Sequence, residues 1–291
     1  IARRRIVEHR ITSLGLRWEL DRDVEIVDPE ETGGLLSSLV PAYQAKVSRH
    51  GLTLREAERL IYRRPSAAAG MLLASGHVDA ALVGGNSEWW GQVKLVLPLI
   101  ERRLDVKRVY AMTALILSEG ALFLTDTHMV PDPSADEIAR MTVLASEAIR
   151  RFGLEPQAAL VSHSNFGSSH SPSARKMREA LKLLQQDAPQ LIVDGEMHAD
   201  TALSEALRSK HVPNSPITGS ANLLVMPGLD AANITLTALQ AATGAQTVGP
   251  MLMGLSKPIH VLSPTVTARG IVNLTAIASA ELRQRAVSVE G

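Results

Sequence analysis

The residue types best suited to holding an anion stand in the loop 162–169, which reads SHSNFGSS. It lies between an apolar run typical of a buried strand and a helical pattern that begins near Ala174. Ser162, Asn165, Gly167 and Ser168 could together bind a phosphate or carboxylate, because free N–H groups and the helix dipole both favour an anion there. A polar turn that caps the helix is the alternative interpretation, and the sequence leaves both open.

A similar succession of strand, loop and helix follows the apolar run that ends at Met226. Asp230 is interpreted as the N-cap of this helix, since capping alone explains an aspartate at that position. Asn233 is expected in the first turn, with its amide toward the strand ends where α/β proteins bind ligands. Asn233 is therefore a further candidate for ligand binding.

A third turn, 263–270, follows the apolar run 259–262 and has the position of a ligand-handling site. Ser263 is a candidate hydroxyl nucleophile and Thr265 adds a second hydroxyl, but no base stands beside them. Pro264 has no backbone N–H with which to bind an anion. The turn 263–270 therefore lies where α/β proteins place their active sites, but it lacks the side chains that catalysis would need.

Acidic and histidine side chains alternate in two segments and could in principle ligate a metal. The two sets are Asp194, Glu196, His198 and Asp126, His128, Asp132. The nine histidines include no pair at the spacing His-x-x-x-His, and nothing marks a further ligand or a supporting partner. We interpret both sets as structural hydrogen-bonding groups and predict no metal site.

Composition narrows the class of protein. The chain has 291 residues, of which 45% are hydrophobic and only 3% aromatic, so two α/β lobes with aliphatic cores are expected. Thirty basic and thirty acidic side chains cancel, which argues against nucleic-acid and membrane-surface partners. There is no cysteine, which excludes disulfides and thiolate chemistry and makes a cytoplasmic location the default. No apolar run reaches the roughly 18 to 20 residues of a membrane span.

The apolar periodicity predicts strands alternating with helices, as in a parallel or mixed sheet with helices on both faces. Predicted elements include a basic amphipathic helix 3–14 with Val7, Ile11 and Leu14 on its apolar face, a strand 24–27, capping boxes at Thr53 and Ser134, a hairpin 113–124, and a strand 191–193 that leads into 194–198. Trp89 and Trp90 fall in a predicted loop and could serve an interface, a lid or packing within a lobe.

Many of these segments together resemble the phosphate acetyl/butyryltransferase family. The matching segments are 79–85, 162–169, 174–176, 194–196, 221–222, 227, 229–233, 248–250, 254 and 257–258. The match extends over nearly the whole chain. The variant SHSNFGS with VDGEMHAD is similar to the C-terminal domain of bacterial hybrid NADP-dependent malic enzymes.

The resemblance implies an α/β fold of two three-layer αβα lobes, like isocitrate and isopropylmalate dehydrogenases, with a cleft between the lobes. The first lobe would comprise 1–108 plus 256–291 and the second 109–255. The resemblance also implies that the family's N-terminal strand and helix are missing ahead of Ile1, so the chain is expected to be a piece of a longer polypeptide. A homodimer through this domain is also implied.

The chain departs from the family at positions that matter for catalysis. In active members the serine matching Ser263 is followed by an arginine that helps to hold phosphate, and an aspartate further on accepts the proton of the CoA thiol. Here these positions are Pro264 and Gly270, and another family arginine aligns with Lys94. Neither a proline nor a glycine can replace those groups, and losing general-base help alone costs about 10²–10⁴-fold in rate.

The first hypothesis is therefore a regulatory domain without catalytic residues that binds acetyl-CoA or a related acyl-CoA. Its ligand-binding candidates are Ser162, Asn165, Gly167, Ser168, Asn233, Ser263, Thr265 and Lys94. It would control a malic-enzyme domain N-terminal to Ile1, which would bind NADP and a divalent metal. The second hypothesis is a working phosphate acetyltransferase with Asp230 or Glu88 as its base, and the third is a purely structural oligomerisation module.

Overall fold

The computed structural model describes residues 1–30, 34–48, 51–85 and 87–290, with side chains up to residue 283. The chain divides into two compact units. Unit 1 comprises Ile1–Glu101 and Ser256–Thr265, and unit 2 comprises Arg102–Leu255 and Val266–Gly291. The lobes predicted from the sequence placed all of 256–291 in the first lobe, whereas the residues from Val266 onward pack with unit 2.

Unit 1 contains a two-stranded parallel sheet and five helices among its described residues. Its elements, numbered in chain order, are α1 (Arg4–Ser13), α2 (Leu35–Val47), α3 (Leu54–Arg63), α4 (Pro65–Ala74), β1 (Ala81–Gly84), α5 (Trp89–Val96) and β8 (Ile259–Leu262). β1 and β8 lie parallel with Gly84 opposite Leu262. Gly84 has φ +93°, and a Cβ there would lie 2.9 Å from the Leu262 carbonyl oxygen, so this close pairing requires glycine.

Unit 2 contains a six-stranded sheet with helices packed on it. Its elements are β2 (Tyr110–Leu117), β3 (Gly120–Thr125), α6 (Ala135–Arg151), β4 (Gln157–Val161), α7 (Pro172–Asp187), β5 (Ile192–Met197), α8 (Ala199–Leu203), α9 (Glu205–His211), β6 (Leu223–Val225), α10 (Leu229–Thr243), β7 (Gln246–Met253) and α11 (Ala268–Glu290). The strand order is β5-β4-β6-β3-β2-β7. β5, β4, β6 and β3 are parallel, and β2 is antiparallel to both β3 and β7. The predicted mixed α/β fold is confirmed.

Helix starts were the best predicted local feature. Thr53 caps α3 and Ser134 caps α6, and in both boxes the glutamate three residues later reaches back to the capping residue's own N–H. These reciprocal bonds satisfy two otherwise unpaired backbone donors within four residues, so they can be recognised from the sequence. The predicted hairpin is also confirmed, with Leu117 opposite Gly120.

Four local predictions were wrong. Residues 24–27 do not form a strand; only a single bridge joins Leu20 and Val24. Trp89 and Trp90 begin α5 rather than standing in a loop, and α10 begins at Leu229 with Gly228 as its N-cap, so Asp230 is not the cap. The segment 194–197, predicted to follow a strand, continues β5.

The helix α1 forms as predicted, but its apolar face is only partly covered by the described residues, since Val7 and Ile11 are half-buried. None of its residues is buried, and Leu14 just beyond it is 64% exposed. Among the described residues no helix has the length and apolarity to span a bilayer.

Candidate functional site

The carboxyl ends of five strands lie along one edge of the sheet in unit 2. β3, β4, β5 and β6 are parallel, and β7 has the same direction because β2 is antiparallel to both of its neighbours. The loops that leave this edge carry most of the residues singled out from the sequence. Because open α/β sheets bind ligands at this kind of edge, it is the candidate site of unit 2.

One buried carboxylate organises the loop 162–169. Glu196 in β5 is fully buried, and its Oε1 accepts hydrogen bonds from Ser164 Oγ at 2.6 Å, the Gly167 N–H at 3.0 Å and Arg178 Nη1 at 2.6 Å. Buried carboxylates require such donors, and bonds to a charged acceptor are the stronger kind. The Gly167 amide, predicted to hold a ligand's anion, therefore binds a carboxylate of the chain itself.

The backbone around Glu196 explains why the loop takes this shape. Phe166 and Gly167 both have positive φ, +46° and +91°, which turns the loop back on the strand so that the Phe166 N–H donates to the Glu196 carbonyl at 2.7 Å. At Gly195 a Cβ would lie 2.6 Å from the Leu160 carbonyl oxygen. Only glycine allows β5 to approach β4 this closely beside the buried carboxylate.

The other predicted residues of this loop divide into those with and those without internal partners. Asn165 Oδ1 accepts the His198 N–H at 2.8 Å, and Ser168 Oγ accepts the Asn165 N–H at 3.0 Å. Ser162 Oγ is buried and has no hydrogen-bond partner in the described part of the chain. An unbonded buried hydroxyl costs stability, so Ser162 differs from Asn165 and Ser168, whose side chains accept bonds from the chain.

Asn233 lies in α10 one turn later than predicted, and it reaches the same edge. Its Nδ2 donates to the Thr127 carbonyl at 3.3 Å, which links the start of α10 to the loop after β3. Thr127 Oγ1 lies 2.9 Å from both Thr113 Oγ1 and His128 Nδ1. These contacts give Asn233 a structural role in addition to the predicted one.

Burial shifts the protonation of two groups in the loop after β3. Burial raises the pKa of Asp126 to about 6, although its carboxylate accepts backbone N–H bonds from Ala111, His128, Met129 and Val130 that act in the opposite direction. Burial lowers the pKa of His128 to about 4, so this imidazole is neutral at pH 7. Both side chains are held by neighbours within unit 2, as expected for structural hydrogen-bonding groups.

The remaining predicted residues belong to unit 1. Ser263 and Thr265 stand in the turn that follows β8, with their hydroxyls 3.3 Å apart, and Lys94 is exposed in the last turn of α5. Trp89 is buried, and its Nε1 donates to the Val261 carbonyl at 2.9 Å, so it joins α5 to β8. Trp90 is 38% exposed.

The position matching the family's base lies in the first turn of α11. The Gly270 N–H donates to Thr267 Oγ1 at 3.1 Å, which caps this helix end. A Cβ at Gly270 would lie 3.0 Å from Val266 Cγ2, a tight contact that requires a small shift. Glu88, considered as a substitute base, caps α5 by accepting the N–H groups of Trp90 and Gly91.

Sequence reasoning missed Arg178 and the role of Glu196. Arg178 lies on α7 and pairs with Glu196 while also donating to the Ser169 carbonyl at 3.1 Å. A basic residue four positions after the buried Ala174 was the available signal, because such a spacing places it on the inward face of the helix. The partner lies 18 positions further along the chain, and no local pattern connects the two.

In the described ranges, no group of three or more histidine, aspartate or glutamate side chains could hold a metal ion. The side chains considered from the sequence have other partners. Asp126 is bonded to backbone N–H groups, Glu196 to Arg178, and Asp132 to Lys176 at 2.5 Å.

Comparison with known proteins shows what this arrangement belongs to. The chain is 46% identical over 282 residues to the NAD-dependent malic enzyme of Rhizobium meliloti and 41% identical to the NADP-dependent malic enzyme of Escherichia coli, covering 97% of this chain in both cases. It spans only 36% and 37% of the length of those relatives. A phosphotransacetylase from Streptococcus pyogenes superposes with a TM-score of 0.85 at 27% identity, over 96% of this chain and 83% of that one. The family model for phosphate acetyl/butaryl transferase matches residues 2–279, so the chain belongs to that family.

Proposed function

We propose that this chain is a regulatory domain of a malic enzyme that binds acetyl-CoA or a related acyl-CoA without acyl transfer. Two sequence positions carry the proposal. Gly270 stands where the family has its base, and Pro264 stands where the family has the arginine that holds phosphate. A thiol needs a proton acceptor within hydrogen-bond reach before it can attack an acyl phosphate. A glycine in a helix offers none.

The two substitute bases considered from the sequence do not weaken this proposal. The Glu88 carboxylate accepts two backbone N–H groups at 2.8 and 2.7 Å, so it serves as the N-cap of α5. Asp230 is exposed in the first turn of α10 and belongs to unit 2, whereas Ser263 and the turn after β8 belong to unit 1.

Binding capacity is the other half of the proposal. The groups proposed to contact the acyl-CoA are those predicted from the sequence: Ser162, Asn165, Gly167, Ser168, Asn233, Ser263, Thr265 and Lys94. The Ser162 hydroxyl, which has no partner among the described residues, supports this set most directly, because a ligand would supply the missing bond.

The parent protein is part of the same proposal. The similarity to about a third of two malic enzymes supports a C-terminal position behind a malic-enzyme domain. That domain would bind a divalent metal and NADP, or NAD as the name of one relative suggests. Exposed apolar side chains around α1, with Leu14 at 64% and Trp18 at 55%, would suit contact with a further part of such a protein. A homodimer, a cytoplasmic location and an isocitrate dehydrogenase-like class also remain proposals.

Calorimetric titration of acetyl-CoA into the 291-residue chain tests the binding. We expect saturable heat with acetyl-CoA and none with acetate, which lacks the nucleotide. Absence of binding at millimolar acetyl-CoA would end the proposal. Regulation further requires that the ligand favour one state of the parent enzyme, so acetyl-CoA should shift malate oxidation by the full-length protein but not by a version lacking these residues.

A further inference from the structure

A polar cavity in unit 1 lies outside every site described so far. It has a volume of about 370 Å³ and is lined by Arg63, Arg64, Ser66, Gly84, Ser87 and Gln92 together with Ile1, the first residue of the given sequence, and other apolar residues. It therefore opens at the junction of α3 and α4 and extends to the carboxyl end of β1. Its volume is within the range of about 300–1,000 Å³ that is usual for small-molecule sites.

Two arginines give the lining of the cavity a positive charge. Arg63 and Arg64 are exposed, and neither forms an ion pair with a carboxylate in the part of the chain that the structure describes. No aspartate or glutamate is among the described residues that line the cavity. The nearby Glu88 carboxylate is already bonded to the N–H groups of Trp90 and Gly91. Two guanidinium groups in such surroundings attract an anion, and their planar donors match phosphate oxygens.

Two of the polar side chains that line the cavity, Ser66 and Gln92, are buried. Ser66 is 5% exposed and Gln92 7% exposed, and Ser66 Oγ donates to Gln92 Oε1 at 2.5 Å. Gln92 Nε2 in turn donates to Ser87 Oγ. This chain of bonds joins α4, α5 and the loop between β1 and α5. It holds the cavity wall in place without introducing a negative charge.

The position of the cavity relates it to the lost phosphate-holding residue. Gly84, which lines the cavity, lies opposite Leu262 in the β1–β8 pair, and Ser263 and Pro264 follow directly after Leu262. The cavity lined by Arg63 and Arg64 therefore reaches the last residue of β1, whose partner Leu262 stands two positions before Pro264.

We infer that Arg63 and Arg64 form a phosphate-binding site near the carboxyl end of β1. In the full-length parent protein this site binds a phosphate group of the acyl-CoA nucleotide. The inference rests on the proposed function for the identity of the ligand. The cavity itself selects only the chemistry, a phosphate group, which could also come from free inorganic phosphate.

The test compares three forms of the 291-residue chain: wild type, the double variant Arg63→Gln/Arg64→Gln, and the matched double variant Arg55→Gln/Arg59→Gln. The control removes the same charge from exposed positions of α3 that do not line the cavity. Calorimetric titrations use acetyl-CoA and, separately, inorganic phosphate, and circular dichroism checks that each form is folded.

We expect the Arg63→Gln/Arg64→Gln variant to bind acetyl-CoA at least about tenfold more weakly, as for loss of charged hydrogen bonds, and the control to stay within about twofold. If the two double variants bind acetyl-CoA equally well and also bind inorganic phosphate equally well, the inference is overturned. The proposed function is not affected by that result. If wild type binds no acetyl-CoA, the proposed function fails. Phosphate binding that only the Arg63→Gln/Arg64→Gln variant loses supports the site and identifies free phosphate as its source.

Discussion

The carboxyl edges of the two sheets use their polar side chains in opposite ways. In unit 2 the polar groups bond to one another. Ser164 and Gly167 of the loop 162–169 and Arg178 of α7 all donate to the buried Glu196 carboxylate of β5. In unit 1 two arginines line a cavity without an acidic partner among the described residues. The comparison teaches that a motif rich in binding groups can serve first to build its own loop. The anion site proposed for this chain instead uses two arginines of unit 1 that lie outside that motif.

The largest expected effect is that of Glu196→Gln. Removing the charge leaves Arg178 without its partner and weakens the bonds from Ser164 and Gly167, so we expect about 3 kcal/mol of lost stability. Urea denaturation measures the free energy of unfolding. Glu179→Gln, an exposed change on the neighbouring position of α7, is the control and should cost less than about 0.5 kcal/mol. If the two substitutions lowered the free energy of unfolding equally, Glu196 would not be the group that organises this edge of the sheet.

The next effect concerns pH and the buried loop after β3. Because burial lowers the pKa of His128 to about 4, the unfolded chain takes up a proton below its own pKa of about 6.5 that the folded chain does not. Stability is therefore lost as pH falls from about 6.5 to 4. Relative to His128→Gln, wild type should lose about 2 kcal/mol between pH 7 and pH 5.

Comparing these two forms cancels the contribution of Asp126, whose pKa is raised to about 6 and which acts in the opposite direction. His77→Gln, at an exposed position, should leave the pH dependence of wild type unchanged. Parallel stability curves for wild type and His128→Gln would show that His128 is not held neutral by burial.

The smallest and sharpest effect comes from two serines in one loop. Ser164→Ala removes a donor to Glu196 and the acceptor of the Ser169 N–H, and should cost about 1–2 kcal/mol. Ser162→Ala removes a buried hydroxyl without a partner among the described residues and should cost less than about 0.5 kcal/mol. Ser162→Ala should nevertheless weaken acetyl-CoA binding about tenfold if the ligand bonds this hydroxyl. Unchanged affinity in this variant would remove Ser162 from the proposed set.

The features that could be predicted from the sequence are those that depend on residues close together in the chain. The capping boxes at Thr53 and Ser134 and the hairpin turn between Leu117 and Gly120 depend on residues within a few positions of one another, so the sequence shows their patterns. The strand predicted at 24–27 failed because a short apolar run forms a strand only with a partner, and there the chain makes a single bridge.

The interior of the site depended on contacts that are distant in sequence. The predicted strand 191–193 stops short of the polar positions 194 and 196, yet β5 continues to Met197, and Arg178 and Ser164 donate to Oε1 of the buried Glu196. Arg208 is 1% exposed and donates to the carbonyl groups of Thr201, Ala202, Ile217 and Gly219. Nothing in the local sequence distinguishes it from an exposed helical arginine. The charge of the unit 1 cavity was missed for a similar reason, since Arg63 and Arg64 lie in an ordinary helix junction.

The most direct test of the central claim is an assay of acetyl-CoA formation from acetyl phosphate and CoA by the 291-residue chain. Without a proton acceptor at position 270, we expect no product above the rate without protein, in a preparation that binds acetyl-CoA. Turnover that is abolished by Ser263→Ala would contradict the claim, because it would show that this edge still carries out acyl transfer.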